Sequence, residues 1–209
     1  MPPVFSRERE FHEACPGGLV AGVDEAGRGP WAGPVIAAAA ILDPRNIPAG
    51  IDDSKKLSAP KREYLYAQLL ETARIGVGQA SVEEIDAHNI LRATLLAMQR
   101  AVAALPAVPA LLLIDGRHAP ETPCTVETLI GGDGCSLSIA AASIIAKVAR
   151  DRIMADLHTE FPLYGWNTNQ GYGTKAHQTA LLAHGPTPHH RASFMPIHKI
   201  LCGQGSISP

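Results

Sequence analysis

The chain has 209 residues, 46% of them hydrophobic and 18% charged, which is enough apolar material for one ordinary domain and too little charge for a disordered tail. Its 18 Lys and Arg against 20 Asp and Glu leave a net charge of −2, so any nucleic-acid contact has to come from a local basic face. Cys15, Cys124, Cys135 and Cys202 stand apart with no Cys-x-x-Cys pair, which excludes zinc-ribbon spacing and a dense disulfide frame and points to reduced thiols in a cytoplasmic protein.

Residues 1–16 read as a polar lead-in of mixed charge without the apolar run of a secretory leader. Residues 17–160 carry the strand and helix patterns of a folded core. Gly18–Val23 and Val35–Leu42 are small-and-apolar runs separated by a Gly/Pro-rich turn, which predicts an antiparallel hairpin. Ser58 with Pro60 opens a helix that runs to Thr72, and Ile75–Ala80 follows as a strand. Ser81-Val-Glu-Glu84 matches a capping box for a short helix, and Asn89–Ala104 has helical spacing. Ala110–Ile114, bounded by Pro109 and Gly116, reads as a buried central strand, and Thr125–Ile130 as another. Leu137–His158 predicts a long helix whose first turns, Ala140-Ala-Ala-Ser143, are small enough to approach a sheet closely.

From 161 to 209, Pro, Gly, Asn and His dominate around one helix at Lys175–Ala183, giving a small, mostly helical C-terminal lobe of the same domain; its tail, Gly203–Pro209, shows no docking motif. Strands that precede and alternate with helices make this an α/β fold with a mixed sheet. No apolar run is long enough to cross a bilayer, so no membrane partner is expected, and a monomer is the default for this size.

Acidic residues stand at the ends of apolar strands. Asp24 and Glu25 end the Leu19–Val23 run, and Asp115 ends Leu111–Ile114. A carboxylate there is costly unless something compensates it, although Asp115-Gly116 is also a common turn dipeptide. Two such strands in one sheet would bring three carboxyls to one edge, where mutual repulsion asks for a cation. Oxygen ligands without His-Glu-x-x-His or a cysteine cluster suit Mg²⁺ or Mn²⁺ over zinc.

Gly27-Arg-Gly-Pro30 and Gly33-Pro34 follow directly, and glycines there let backbone N–H groups come up against a ligand. A tight hairpin turn would also use a glycine pair. A dinucleotide fingerprint fails, because Ala32 stands where its third glycine belongs. His184, His189 and His190 lack a cysteine partner and regular spacing, and read as surface histidines.

The run Ala21-Gly-Val-Asp-Glu-Ala-Gly-Arg-Gly-Pro-Trp-Ala-Gly-Pro-Val35 resembles the opening motif of type 2 ribonucleases H, the ribonuclease HII family. The resemblance continues, in the family's order, through Asp53-Ser-Lys-Lys-Leu-Ser58, Ile114-Asp-Gly116, Gly132-Asp133, the Ser138–Arg152 helix, Gly171-Tyr-Gly-Thr174 and His190-Arg-Ala-Ser-Phe194. It implies a ribonuclease H-like mixed sheet flanked by helices. It also implies a metal-dependent endoribonuclease that cleaves the RNA strand of RNA–DNA hybrids and nicks duplex DNA 5′ to a single embedded ribonucleotide.

The family's metal-binding acids match Asp24, Glu25, Asp115 and Asp133, with Mg²⁺ or Mn²⁺ as cofactor and Asp24 as bridge. Backbone groups of Gly27, Arg28 and Gly29 would read the 2′-hydroxyl, Tyr172 would lie beside the neighbouring deoxyribose, and Lys55 near the scissile phosphate. Lys56 reads as a solvated neighbour. Asp151 rivals Asp133, but up to about 27 Å of helix separates them; flanked by Arg150 and Arg152, it reads as a structural ion pair. Lys147, Arg150, Arg191 and Lys199 are candidates to track the duplex backbone, and Lys147 and Arg150 equally fit a solvated helix face. Gly131 and Ala192 stand where many relatives carry Lys and Arg. A catalytically silent hybrid-binding module would have lost an acid, and other nucleases of the fold lack the Gly-Arg-Gly loop with Tyr172.

Overall fold

The computed structural model describes residues 2–203; the tail beyond lies outside the described residues. Five strands, β1 (Val20–Ala26), β2 (Val35–Leu42), β3 (Ala73–Ala80), β4 (Leu111–Asp115) and β5 (Thr125–Leu129), form one sheet in the order β3-β2-β1-β4-β5. β1, β2 and β3 pair antiparallel, whereas β4 joins β1, and β5 joins β4, in parallel, so the sheet is mixed. The described residues also form seven α-helices: α1 (Ser6–Ala14), α2 (Ala59–Thr72), α3 (Val82–Ala103), α4 (Leu137–Glu160), α5 (Trp166–Asn169), α6 (Lys175–His184) and α7 (Met195–Leu201).

β2 explains the layering. All eight of its residues, Val-Ile-Ala-Ala-Ala-Ala-Ile-Leu, are buried. Successive side chains point to opposite faces. Val35, Ala37, Ala39 and Ile41 therefore meet Ala93, Ala97 and Ala101 of α3. Ile36, Ala38, Ala40 and Leu42 meet Ala140, Ala141 and Ile144 of α4. Small residues bring both helices close. A Cβ on Gly22 would lie 2.0 Å from the Ser138 carbonyl carbon, and one on Gly78 would lie 2.2 Å from the Ala97 carbonyl oxygen.

Several elements differ from the expectation. β1 continues to Ala26, so Asp24 and Glu25 lie within its final three residues and do not follow it. As expected, two helices follow Ser81; they run on within α3 across a break at Asn89, where φ is +67°. Its side chain accepts from Leu91 N at 3.0 Å and Arg92 N at 3.2 Å, which starts the second segment. The polar lead-in contains α1, fixed by the buried Glu8: one carboxylate oxygen accepts from Ser136 Oγ at 2.6 Å and Ser138 N at 3.0 Å. The C-terminal segment holds three helices instead of one, around Trp166, Tyr164, Leu181 and Ile197. Among the described residues, no helix is long and apolar enough to cross a membrane, and all four cysteines are free.

Candidate active site

The parallel pairing of β1 with β4 sets the first feature of the site. Val23 lies beside Ile114, so Asp24 and Asp115 leave the sheet side by side at its carboxyl edge. Asp24 is only 3% exposed, and its Oδ1 accepts from Glu25 N at 2.7 Å. Asp115 Oδ1 accepts from Gly132 N at 2.7 Å, which fixes the short turn Gly132–Gly134 and with it the buried Asp133. Two cationic side chains lie on this cluster: Arg28 Nη1 is 3.2 Å from Glu25 Oε1, and Lys55 Nζ is 3.3 Å from Asp133 Oδ2.

The electrostatics follow from burial. Desolvation holds the Asp24 carboxyl well above its ordinary pKa, and repulsion from Glu25 and Asp115 pushes the same way. Burial also raises Glu25 and Asp133, against the pull of Arg28 and Lys55 respectively. Burial opposes the Lys55 charge, yet Asp133, Asp24 and Asp53 outweigh it and raise its pKa. Among the described residues, no three His, Cys, Asp or Glu side chains converge into a ready ligand cage.

Asp24, Glu25 and Asp115 open into a cleft of about 250 Å³ that is also lined by Gly27, Arg28, Gly29, Lys55 and Tyr172. Gly27 has φ +98°, and a Cβ there would lie 2.1 Å from Arg150 Nε, so only glycine fits. Gly29 is open toward the cleft; the nearest atom to a Cβ on it would be Tyr172 Cε1 at 3.4 Å. The Tyr172 ring, 50% exposed, thus stands beside the glycine loop. Its segment is docked by Trp31 N donating to Gly171 O at 2.8 Å and by the His177 imidazole on Tyr172 O at 3.0 Å.

Residues 21–197 match the family model for ribonuclease HII. The chain is 58% identical over 191 residues to a ribonuclease HII of Cereibacter sphaeroides, covering 91% of this chain and 90% of that one. The chain belongs to the ribonuclease HII family. A ribonuclease HII of Ruegeria pomeroyi is 60% identical over 183 residues, covering 87% of this chain and 78% of its own length. Of the solved structures it resembles, ribonuclease H2 from Pyrococcus horikoshii superposes with a TM-score of 0.74 at 28% identity, covering 87% of this chain and 96% of that chain. Bst-RNase HIII in complex with Mn²⁺ superposes with a TM-score of 0.67 at 20% identity, over 93% of this chain and 80% of that chain, a likeness of fold alone. The fold is ribonuclease H-like, and the protein is a ribonuclease H endonuclease, a phosphodiester hydrolase.

Within this ribonuclease HII chain, several basic residues serve differently from the sequence expectation. Arg150 and Arg191 are buried beneath the glycine loop and cannot track a duplex backbone; their guanidinium groups end on main-chain carbonyls. Asp151 is in an ion pair, but with Lys147 at 2.6 Å and Arg62 at 3.8 Å, while Arg152 pairs with Glu63 at 2.6 Å. Lys56 pairs with Asp52 at 3.2 Å on the surface. Of the three histidines expected outside, His184 is exposed and His189 half-buried, whereas His190 is buried with its Nε2 3.0 Å from that of His177.

Sequence reasoning missed three supports of the cleft. Ser143 on α4 faces Asp24 and meets Ser54 Oγ at 2.8 Å. Arg62 holds the Ser54 and Leu57 carbonyls at 3.0 and 2.6 Å, fixing the loop that carries Lys55. Asp86 accepts from Ala192 N and Ser193 N, both at 2.9 Å. No local signal announces the last of these, since its partners lie more than 100 residues away in sequence.

Proposed function

We propose that this nuclease hydrolyses the RNA strand of RNA–DNA hybrids and nicks duplex DNA 5′ to a single embedded ribonucleotide, using Mg²⁺ or Mn²⁺ held by Asp24, Glu25, Asp115 and Asp133. One observation carries the reading: a single cleft joins desolvated carboxylates at the sheet edge to a glycine loop beside an exposed tyrosine. The donor set fits a hard divalent cation, since every candidate ligand is a carboxylate oxygen and the acids repel one another when charged. When bound, such ions supply an activated water and neutralise charge on the phosphate and the departing 3′ oxygen.

The chain's own residues divide the remaining work. Asp24, the most buried of the four candidate ligands and the one repelled by both Glu25 and Asp115, would hold the ions together with Glu25, Asp115 and Asp133. Lys55, whose side chain is largely exposed beside Asp133, reaches the scissile phosphate. Backbone groups of Gly27, Arg28 and Gly29 receive the ribose 2′-hydroxyl, the group that separates RNA from DNA. The Tyr172 ring packs on the neighbouring sugar, which lacks that oxygen. The enzyme works as a cytoplasmic monomer without a membrane partner.

The test uses one duplex sequence with and without a single ribonucleotide, each in EDTA, Mg²⁺ or Mn²⁺. Cleavage is expected only with both the ribonucleotide and a divalent ion, on the 5′ side of the ribonucleotide. Cutting of the all-DNA duplex, or cutting in EDTA, would overturn the reading.

A further inference from the structure

Two buried guanidinium groups lie directly behind the glycine loop, and the chemistry above uses neither. Arg191 and Arg150 are 0% and 1% exposed, respectively. Every hydrogen bond they donate among the described residues ends on a main-chain carbonyl. Arg191 takes Gly33 O through Nε at 2.9 Å, Arg28 O through Nη1 at 2.9 Å and Gly27 O through Nη2 at 2.5 Å. Arg150 takes Pro34 O at 3.1 Å, Ala32 O at 3.0 Å and Gln170 O at 3.0 Å, which ties the loop to the segment bearing Tyr172.

The consequence lies in the peptide planes. The chain has no cis peptide among the described residues, and across a trans peptide the carbonyl and the following N–H point in opposite directions. With the Gly27 and Arg28 carbonyls drawn inward to Arg191, the N–H groups of Arg28 and Gly29 point away from it. Among the described residues, neither donates to any protein acceptor, although both residues line the cleft beside Asp24 and Glu25. A loop with its acceptors satisfied from behind and its donors free in front is built to meet an oxygen.

We propose that Arg191 is a specificity-determining positioning residue: by holding the Gly27 and Arg28 carbonyls from inside, it turns the Arg28 and Gly29 amides toward the 2′-hydroxyl of a ribonucleotide in the cleft. This rests on the ribose-reading function proposed above. Arginine is required because its planar fork offers five donors in fixed directions, whereas a lysine ammonium cannot span carbonyls spread along a loop. Burial and the neighbouring Arg150 push the Arg191 pKa down to about 9, so the group stays charged at neutral pH. It is anchored from the surface: Arg191 N donates to Trp31 O at 2.9 Å, and the next two residues are held by the Asp86 carboxylate.

The test compares wild type, Arg191→Lys and Asp86→Ala. For each, kcat/KM is measured on a duplex with one ribonucleotide, Kd on the all-DNA duplex of the same sequence, and folding by thermal melting. Arg191→Lys is expected to lose about tenfold or more in kcat/KM while its all-DNA affinity stays at the wild-type value. Asp86→Ala, which loosens the anchor without touching the loop, is expected to lose several-fold in the same selective way.

Equal losses on both duplexes would show that the loop grips phosphate or merely needs Arg191 to fold, and would overturn the proposal, as would a folded Arg191→Lys enzyme with unchanged kcat/KM. If Arg191→Lys does not fold, Asp86→Ala decides, and unchanged selectivity there overturns it. A wild-type enzyme that fails to distinguish the two duplexes would instead remove the ribose-reading function itself.

Discussion

The acidic cleft and the C-terminal segment behind the glycine loop treat buried polarity in opposite ways. In the cleft, Asp24 is desolvated beside two other acids, and its carboxyl is held above its ordinary pKa by burial and repulsion. Behind the loop, the two buried histidines are tied into a hydrogen-bond chain. Thr187 N donates to His190 Nδ1 at 2.9 Å, which makes that nitrogen an acceptor and leaves the proton on Nε2. That proton faces His177 Nε2 at 3.0 Å, and His177 Nδ1 in turn faces Tyr172 O at 3.0 Å. Both rings are therefore neutral, and the order of their protons is dictated by the backbone. Unrelieved charge marks the place that awaits a ligand, whereas a closed hydrogen-bond chain marks the frame that holds the reading loop in shape.

Substitutions can break this contrast. Asp24→Asn is expected to cut turnover by at least about 10³-fold while raising the thermal midpoint in metal-free buffer, since it removes a strained charge. Turnover and melting curves check both; a lowered midpoint would put Asp24 among the groups the fold needs. His190→Ala should act in reverse, costing about 2 kcal/mol of stability by chemical denaturation, because Thr187 N loses its acceptor and His177 Nε2 keeps only the Trp166 indole N–H of its two donors. An unchanged midpoint would dissolve the closed chain.

Tyr172→Ala is expected to lower kcat/KM at a single ribonucleotide by about tenfold, with folding intact because the ring is half exposed. Normal rates would remove the sugar-packing role.

Acid sharpens the same comparison without mutation. Burial, with repulsion from His177, pushes the His190 pKa down to about 3 from an ordinary 6.5. As pH falls the unfolded chain takes that proton first, so this stabilisation is complete above pH 6.5 and is lost progressively toward about 3. Asp24 runs the other way: its raised carboxyl takes up a proton in the folded state first, so acidification relieves it. Denaturation midpoints of wild type and His190→Ala across this range should converge on the acid side; parallel curves would contradict the assignment of neutral rings.

Local pattern made much of the framework legible. The β2 run, the apolar β4 bounded by Pro109 and Gly116, and the Ser81–Glu84 capping box, closed by bonds of 3.3 and 2.9 Å, each follow from neighbouring residues. The strand-end acids were visible because a carboxylate after an apolar run is an anomaly within a few residues.

What stayed hidden depends on distant partners. Arg191 and Arg150 looked like solvent-facing cations because arginine usually is. Their carbonyl partners, Arg28, Gly33 and Ala32, lie far away in sequence, where spacing gives no hint of them. His190, which the family segment placed in support of the site, is buried and not a surface histidine, because the chain folds back between α6 and α7 to set it against His177. The helix α1 escaped notice because its one buried polar residue, Glu8, looks like any other charge in a charged segment.

That glutamate ties the start of the chain to the heart of the enzyme. Through Ser136 and Ser138 it latches the opening turn of α4, the same helix that presents Ser143 to Asp24 and Arg150 to the reading loop. Clipping away the first dozen residues would thus loosen the keel along which both halves of the catalytic surface are mounted, although none of those residues lines the cleft.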